Sequence, residues 1–449
     1  MWNLLGFKEN ILFNSPIEIE EKAPNLLAGR DSELIDLAQE ILSSENSIKI
    51  ITGKSGVGKT SFLNVLQYLF YKKSDYFKNL NIYKRILPNF HRVELVNKDN
   101  LETVLEKILK SFSKNIRDYY AENPVSIPRE IKDLTNYWIG LKDDEITTER
   151  DFELNTGIIK IGTKTSVTEI FINKQDAEYS FETLLKLLRK YTDFEGAFIL
   201  FDNLENLTND NIIRIFNEIR DKVLLKKHMY YLLISSDTQL LPNIHAGAKR
   251  LSGLINSIDV ELKSLSNNQI LNAIEERLKI FKHEDNKTKL LPFSEHLLYQ
   301  TYAFTDYELR ETFNILNYIS QRVFSNPHTV NEYNENKYQI PYLIGIDYLI
   351  EYCEKTHKKF ELFTLDRARL ATIYLTENYD YITLKFSSKE ELIQYLESLC
   401  KQNFLEKTNN DEKVVYKKTF KFEMMAVANK ITTEIKEIAI DKLLPIDSI

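Results

Sequence analysis

A stretch near the start of the chain combines three glycines with a lysine and a hydroxyl side chain at close spacing. It reads Gly53-Lys54-Ser55-Gly56-Val57-Gly58-Lys59-Thr60. Consecutive backbone N–H groups in such a turn form a concave site for an anion, and a helix that begins there adds its partial positive charge. The Lys59 ammonium can reach the outer phosphates of a nucleotide, and the Thr60 hydroxyl can complete the ligand shell of a Mg²⁺ ion. These residues therefore predict binding of a nucleoside triphosphate together with magnesium.

The elements that must hold this turn are visible on both sides of it. A short apolar run at residues 48–52 predicts a strand before the turn, and the residues from about Thr60 to Lys72 predict a helix after it. A strand, the pattern Gly-x-x-x-x-Gly-Lys-Thr and a helix, in that order, are the context of a phosphate-binding P-loop. We therefore predict ATP and Mg²⁺ as cofactors, with nucleotide contacts that extend from the loop to Ser61.

A second apolar run ends in a carboxylate. Residues 196–201 read Gly-Ala-Phe-Ile-Leu-Phe, and Asp202 follows them. A parallel sheet covered on both faces requires continuous apolar strands, and the ligands of such sheets bind at the carboxyl ends of the strands. Asp202 is therefore the predicted Mg²⁺-organising Walker B aspartate, and Thr60 and Asp202 are the predicted metal ligands. The alternative is an ordinary strand that ends in a polar cap.

The composition bounds the class of protein. The chain has 449 residues, which at about 150 residues per domain predicts two to four domains. An apolar content of 43% with 12% aromatic residues excludes global disorder. The net charge of −7 gives no overall attraction to nucleic acid or to an anionic membrane, and two cysteines are too few for a disulfide framework. No apolar window is long enough for a transmembrane helix, so we expect a cytoplasmic protein without a membrane partner.

Changes in pattern along the chain predict five segments. They are an irregular N-terminal arm (1–25), a nucleotide-binding core (26–263) with an insertion at about 122–176, a helical lid (264–325), a polar linker (326–340) and a C-terminal domain (341–449). A β-hairpin is predicted inside the insertion, at residues 157–161 and 167–172. Asp31 or Ser32 is predicted to cap the first core helix, and Ser266 with Gln269 predicts a capping box at the start of the lid.

The C-terminal domain has the order of a winged helix. Helical spacing near 342–354, 365–375 and 389–401 is followed by two short strands around an Asn-Asn-Asp-Glu turn, and a last helix is predicted from about 422 to 443. Residues 401–421 carry six lysines, Lys417 and Lys418 among them, against three acids, whereas the preceding helix carries glutamates that would oppose phosphate. Contact with duplex DNA and docking of a protein partner therefore both remain open.

Several motifs together resemble those of AAA+ and STAND ATPases, most closely the initiator-like and archaeal-type ATPase branch. They are Gly53 to Thr60, Phe198 to Asp202, the strand that ends at Ser236, the lid with Arg310 and the winged-helix tail. The resemblance covers most of residues 26–425. It implies an α/β fold, in which a P-loop NTPase core sheet of five parallel strands, with the P-loop strand central, carries a helical lid and is followed by a winged-helix domain.

The resemblance also implies roles for single residues. A Gly-Arg-acidic segment lies against the adenine in these ATPases, which implies nucleotide contacts for Gly29 and Arg30. Ser236 would be the sensor 1 residue at the γ-phosphate or the attacking water, and Arg310 would be the sensor 2 residue that couples the lid angle to the phosphates. Arg250 lies where the family carries an arginine finger for a neighbouring subunit. A serine that merely ends a strand and a surface arginine are the alternatives for Ser236 and Arg250.

The catalytic base is the position at which this sequence departs from the family. Many related ATPases place a glutamate directly after the Walker B aspartate, where this chain has Asn203, and the next acid is Glu205. An amide can hold a water molecule but cannot take its proton. We therefore expect slow hydrolysis, with Glu205 as the base.

Three functions are compatible with these observations. The first is a switch ATPase, in which ATP bound between core and lid controls assembly of a homo-oligomer or docking of a protein partner through the lid and the winged helix. A role in prokaryotic defence or signalling would be typical of that class. The second is a DNA-binding ATPase of the initiator or transposition-helper type. The third is a nucleotide-binding scaffold with negligible turnover.

Overall fold

The structure is a computed structural model. It describes residues 1–77, 80–140, 176–236, 240, 242, 244, 260–285, 290–357, 387–401, 405–410 and 413–418. The hairpin predicted in the insertion, Arg250, and the helices predicted at 365–375 and 422–443 lie outside these residues. Among the helices that are described, none is long and apolar enough to span a membrane.

The chain divides into two compact units. The first, here the sheet unit, is Ile17–Lys263, and the second, here the helical unit, is Met1–Pro16 together with Ser264–Ile449. The finer division into lid, linker and C-terminal domain stays a prediction.

A parallel β-sheet is the centre of the sheet unit. Its strands are β1 (Ser47–Thr52), β2 (Ile86–Leu87), β3 (Val93–Glu94), β4 (Gly196–Asp202), β5 (Met229–Ile234) and β6 (Val260–Glu261). They lie in the order β2-β4-β5-β1-β6, with β3 as a further neighbour of β4, and all of these pairings are parallel. The predicted parallel core sheet is confirmed, with five strands along this order and β3 as a sixth strand beside β4. The P-loop strand β1 lies inside the sheet, between β5 and β6, although β5 is the middle strand.

The apolar strands are buried because helices cover the sheet. Strand β5 is buried along its whole length, and β4 is buried up to the half-buried Asp202 at its end. Each large apolar side chain that is fully buried in this way contributes about 1.5–3 kcal/mol to the free energy of unfolding. The one charged side chain in β1, Lys49, is buried and forms an ion pair with Glu40 of the preceding helix.

The helices of the sheet unit are Ala23–Leu26, Asp31–Ser43, Lys59–Lys72, Leu101–Glu122, Arg129–Ile139, Asp176–Tyr191 and Asn209–Ile219, with a 3₁₀ turn at Leu204–Asn206 and a π-helical turn at Arg220–Leu224. Two of these helices lie where the sequence predicted none, Ala23–Leu26 in the N-terminal arm and Arg129–Ile139 in the insertion. The cap predicted for the helix Asp31–Ser43, Asp31 or Ser32, is wrong, because Arg30 occupies the N-cap position and makes no capping bond. Asp31 is instead the first helical residue, where its negative charge interacts favourably with the positive end of the helix dipole.

The helical unit begins as predicted and differs from the prediction at the linker. Its helices are Asn267–Phe281, Glu295–Phe304, Leu309–Val323, Pro327–Asn334, Tyr342–His357 and Lys389–Lys401. The capping box of Ser266 and Gln269 is confirmed. The segment interpreted as a polar linker contains the helix Pro327–Asn334, since a proline in the first turn favours a helix start. The buried Tyr333 holds that helix in place by donating its hydroxyl to the carbonyl of Leu290, 2.9 Å away.

The first sixteen residues are an integral part of the helical unit. Trp2–Leu5 form a 3₁₀ helix, and Phe7 makes a β-bridge to Lys282. The buried Arg277 donates to the carbonyls of Ile11 (3.3 Å) and Phe13 (3.2 Å), and its guanidinium lies 4.0 Å from the centre of the Phe13 ring. Backbone carbonyl dipoles and an aromatic face thus stabilise the charge of Arg277.

A β-hairpin is present where the wing was predicted. Strands β7 (Leu405–Asn410) and β8 (Lys413–Lys418) pair antiparallel, with Glu406 opposite Lys417. The helix Lys389–Lys401 precedes it, and Lys407 of β7 forms an ion pair with Glu397 of that helix. Two of the four helices predicted in the domain are described, so the winged helix as a whole stays a prediction.

Candidate nucleotide-binding site

The glycine-rich turn connects β1 to the helix Lys59–Lys72. Gly53, Gly56 and Gly58 have φ values of 142°, 73° and 95°, which favour glycine strongly. At Gly53 a Cβ atom would lie 2.4 Å from the carbonyl oxygen of Leu262, so this position has no room for any other residue. Gly58 is the N-cap of the helix, and the helix N-terminus therefore opens directly onto the turn. This is the geometry that the sequence predicts for an anion site.

Lys59 lies across the turn. Its ammonium donates to the carbonyls of Gly53 (2.6 Å) and Lys54 (3.0 Å). Burial lowers the pKa of Lys59, while the carboxylates of Glu205 and Asp202 act in the opposite direction. The positive charge of Lys59 is thus held at the loop, in the electrostatic range of both predicted acids.

The predicted metal ligands share a partner. Arg92, the residue before β3, donates the same Nη1 group to the Asp202 carboxylate at 2.5 Å and to the Thr60 hydroxyl at 3.3 Å. Thr60 comes from the helix after β1, whereas Asp202 ends β4, two strands away in the sheet. A single guanidinium can bond both groups only if they lie close together. The parallel sheet therefore brings the two predicted Mg²⁺ ligands to one place.

The donor atoms of this place fit Mg²⁺. A hydroxyl and a carboxylate are hard oxygen ligands, and Mg²⁺ in nucleotide sites takes only one or two protein ligands besides phosphates and water. Among the residues that the structure describes, no group of three or more His, Cys, Asp or Glu side chains could hold a metal ion. Thr60 and Asp202 are the residues here that could hold the ion together with a nucleotide, and their role as metal ligands stays a prediction.

Glu205 and Ser236 are brought together at the same edge of the sheet. Glu205 lies in the 3₁₀ turn after β4, and Ser236 follows β5. The main-chain N–H of Ser236 donates to the Glu205 carboxylate at 3.2 Å. The contact between the predicted base and the predicted sensor thus uses the backbone of Ser236, so that a side chain of any type at this position could support it.

A second carboxylate lies beside Asn203. The Asn203 side chain donates to Glu94 at 3.4 Å, and Glu94 is the register partner of Asp202 across β3 and β4. Asn203 has a φ of 57°, in the left-handed region that asparagine tolerates better than most residues. The backbone N–H of Asn203 also donates to one oxygen of Asp202 at 2.9 Å. The residue after Asp202 therefore links two carboxylates.

The sequence patterns did not identify Arg92 and Glu94 as residues of this site. Glu94 ends β3, which runs parallel to β4, and Arg92 directly precedes that strand. Their side chains contact Asp202 and Asn203 at the carboxyl end of β4. The signal was present, because the short apolar pattern at Val93 and Leu95 ends there. The spacing alone did not show that the flanking charged residues meet the Walker B aspartate.

Two predicted nucleotide contacts have protein partners. The buried Arg30 donates to the carbonyls of Val57 (3.4 Å) and Lys263, and it thereby connects the loop to the end of β6. The Ser61 hydroxyl accepts the backbone N–H of Ile17 at 3.1 Å. Both side chains support the loop from the protein side, and a contact of Arg30, Gly29 or Ser61 with a nucleotide stays a prediction.

Arg250 lies outside the described residues, and Arg310 is the second residue of the helix Leu309–Val323 in the helical unit. The arginine-finger and sensor 2 roles stay predictions.

Comparison with known proteins yields structural neighbours only. No family model and no curated protein matches the sequence. The ORC2 protein of Aeropyrum pernix, solved as ADPNP–ADP complexes, is 13% identical, with 96% of this chain and 99% of that chain covered and a TM-score of 0.48. A Walker-type ATPase of Pyrococcus abyssi is 11% identical, with 93% and 99% covered and a TM-score of 0.47. The ORC1 protein of A. pernix in complex with DNA is 11% identical, with 97% of each chain covered and a TM-score of 0.44.

At identities of 11–13% and TM-scores below 0.5, these neighbours assign no ligand, partner or function to this chain.

Proposed function

We propose that this protein binds ATP with Mg²⁺ on the loop Gly53–Thr60 and hydrolyses it slowly. The observation that carries the proposal is the meeting of Thr60 and Asp202 on one guanidinium, at the mouth of a glycine turn that opens a helix. A local glycine turn without a ligand would not require a carboxylate from a strand two positions away in the sheet. The hydroxyl, the carboxylate and the helix N-terminus are together the parts that a Mg²⁺–triphosphate needs.

Each group has a distinct role in this proposal. The backbone N–H groups of the loop would bind the inner phosphates, and Lys59 would leave the loop carbonyls and neutralise the outer ones. The bound Mg²⁺ would supply charge neutralisation at the phosphates. Thr60 and Asp202 would hold it, and Glu205 would take the proton of the attacking water from a position maintained by the Ser236 backbone.

Nucleotide binding is tested with Lys59→Ala. We expect the affinity for Mg²⁺–ATP, measured by titration calorimetry, to fall at least about tenfold, since the variant loses the charge-assisted contacts of one lysine. Lys227→Ala is the matched control, because Lys227 is an exposed lysine of the same unit that pairs with Glu45. Equal affinities of the wild type and Lys59→Ala would contradict the proposal, as would the absence of ATP binding by the wild type.

The biological output that we propose is a switch. Slow hydrolysis suits a protein whose bound nucleotide sets a long-lived state, and Asn203 at the position after Asp202 supports slow turnover. The nucleotide state would control assembly of a homo-oligomer or docking of a protein partner through the lid and the winged helix.

A DNA-binding ATPase is the second candidate, and the C-terminal hairpin favours it. Strand β8 carries Lys413, Lys417 and Lys418, and Lys417 lies opposite the only acid of β7, Glu406. In a binding assay with duplex DNA at increasing salt, we expect a steep loss of affinity if this candidate is right. Replacing Lys417 and Lys418 by glutamine would then reduce the salt slope by about two, one for each phosphate contact. Binding that is insensitive to salt and to these substitutions would favour the switch.

A further inference from the structure

Arg92 holds the position at which the two metal ligands converge. Its Nη1 group lies 2.5 Å from Oδ2 of Asp202 and 3.3 Å from the Thr60 hydroxyl oxygen. The other oxygen of Asp202, Oδ1, accepts the backbone N–H of Asn203. Arg92 thus holds Oδ2 of Asp202 and the Thr60 hydroxyl with one nitrogen, while the backbone of Asn203 holds Oδ1.

The contact is partly shielded from water. The side chains of Arg92 and Asp202 are 27% and 15% exposed. At such sites the attraction between opposite charges is stronger than on an open surface, and a hydrogen bond between two charged groups is shorter and stronger than a neutral one. Removing the guanidinium would leave Asp202 as an uncompensated negative charge beside the phosphate site, which would repel a triphosphate.

We propose that Arg92 is an internal cation that competes with Mg²⁺ for Asp202. In the absence of Mg²⁺ the guanidinium neutralises Asp202 and so permits nucleotide binding. With Mg²⁺ and nucleotide at the site, Arg92 would release Asp202 and the Thr60 hydroxyl, and these two side chains would be free to hold the ion. Arg92 thereby sets the Mg²⁺ concentration at which the site changes from metal-free to metal-bound nucleotide. This inference rests on the proposed nucleotide site and adds a positioning residue to it.

The test is equilibrium binding of a fluorescent ATP analogue to the full chain. Its dissociation constant is measured in EDTA and across a series of free Mg²⁺ concentrations, for the wild type, Arg92→Ala and Arg92→Lys. Arg129→Ala is the matched control, because Arg129 is an exposed arginine of the same unit that pairs with Asp133.

Arg92→Ala should have two opposite effects. Its affinity in EDTA should fall about tenfold or more, because Asp202 is left unpaired, whereas its Mg²⁺ midpoint should fall about tenfold, because the competing cation is gone. Arg92→Lys keeps the positive charge but lacks the planar guanidinium that bonds two groups. Its Mg²⁺ midpoint should therefore lie between those of the wild type and Arg92→Ala. If Arg92→Ala does not fold, this smaller shift in Arg92→Lys decides the question.

A double-mutant cycle isolates the contact. In Asp202→Asn there is no carboxylate to neutralise, so adding Arg92→Ala should change the affinity in EDTA less than about twofold. An unchanged Mg²⁺ midpoint in both Arg92 variants, or equal affinities of the wild type and Arg92→Ala in EDTA, would overturn the competition. Failure of the wild type to bind the analogue at any Mg²⁺ concentration would instead overturn the proposed function itself.

Discussion

At the scale of single residues, the site has two carboxylates that could take a proton from water. Glu205 accepts a hydrogen bond from the Ser236 backbone. Of the two carboxylates that oppose the lowering of the pKa of Lys59, Glu205 has the larger effect and Asp202 the smaller. Glu94 is held by the Asn203 amide, on the strand beside Asp202. Lys59 is the side chain proposed to neutralise the outer phosphates, and Glu205 acts on its pKa, so we retain Glu205 as the proposed base.

Replacing each acid by its amide tests this assignment. Glu205→Gln should lower the rate of phosphate release about a hundredfold while ATP binding is retained, which is the typical loss for a general base. Glu94→Gln should lower the rate less than about tenfold, and because it is equally conservative it serves as the matched control. A larger loss in Glu94→Gln than in Glu205→Gln would transfer the role to Glu94.

At the scale of elements, the glycine turn depends on the end of β6. The backbone at Gly53 passes so close to Leu262 that no Cβ fits, and Arg30 bonds both the turn and Lys263. The turn, β6 and the helix Asp31–Ser43 therefore support one another. The sequence of the P-loop alone does not predict this support, because Leu262 and Lys263 lie about 200 residues further along the chain.

Gly53→Ala tests that dependence. The added methyl group would collide with a backbone carbonyl at an unfavourable φ, so we expect a loss of roughly 3 kcal/mol in the free energy of unfolding, from overpacking and strain together. Gly140→Ala is the control, since Gly140 also has a positive φ of 76° but has nothing within 4 Å of the added atom. Its expected loss is about 1 kcal/mol. Equal losses in denaturant titrations of the two variants would show that the contact with Leu262 is unimportant.

At the scale of the whole molecule, the proposed switch predicts an effect of nucleotide on assembly. Sedimentation velocity should detect a larger species with a non-hydrolysable ATP analogue than with ADP. Lys59→Ala should remain in the ADP-like state with both nucleotides, because it lacks the contact with the outer phosphates. An identical sedimentation coefficient of the wild type in both nucleotides would contradict the switch and leave the DNA-binding candidate.

The sequence by itself determined the parts that depend on local pattern. The P-loop, the apolar strand that ends at Asp202, the parallel sheet and the capping box at Ser266 could all be predicted, because glycine spacing, apolar periodicity and caps act over a few residues. The same local rules were wrong about the cap of the helix Asp31–Ser43, and they did not predict the helix Pro327–Asn334 inside the predicted linker. There, contacts of Arg30 and Tyr333 with distant backbone outweigh the local preference.

Only the tertiary structure decided which charged groups meet. In the chain, Arg92 lies 32 positions after Thr60 and 110 positions before Asp202. The order of strands in the sheet brings the three together, and strand order is set by long-range packing that no local pattern records. The first sixteen residues belong to the helical unit for the same reason, since Arg277 binds carbonyls about 265 positions away in sequence.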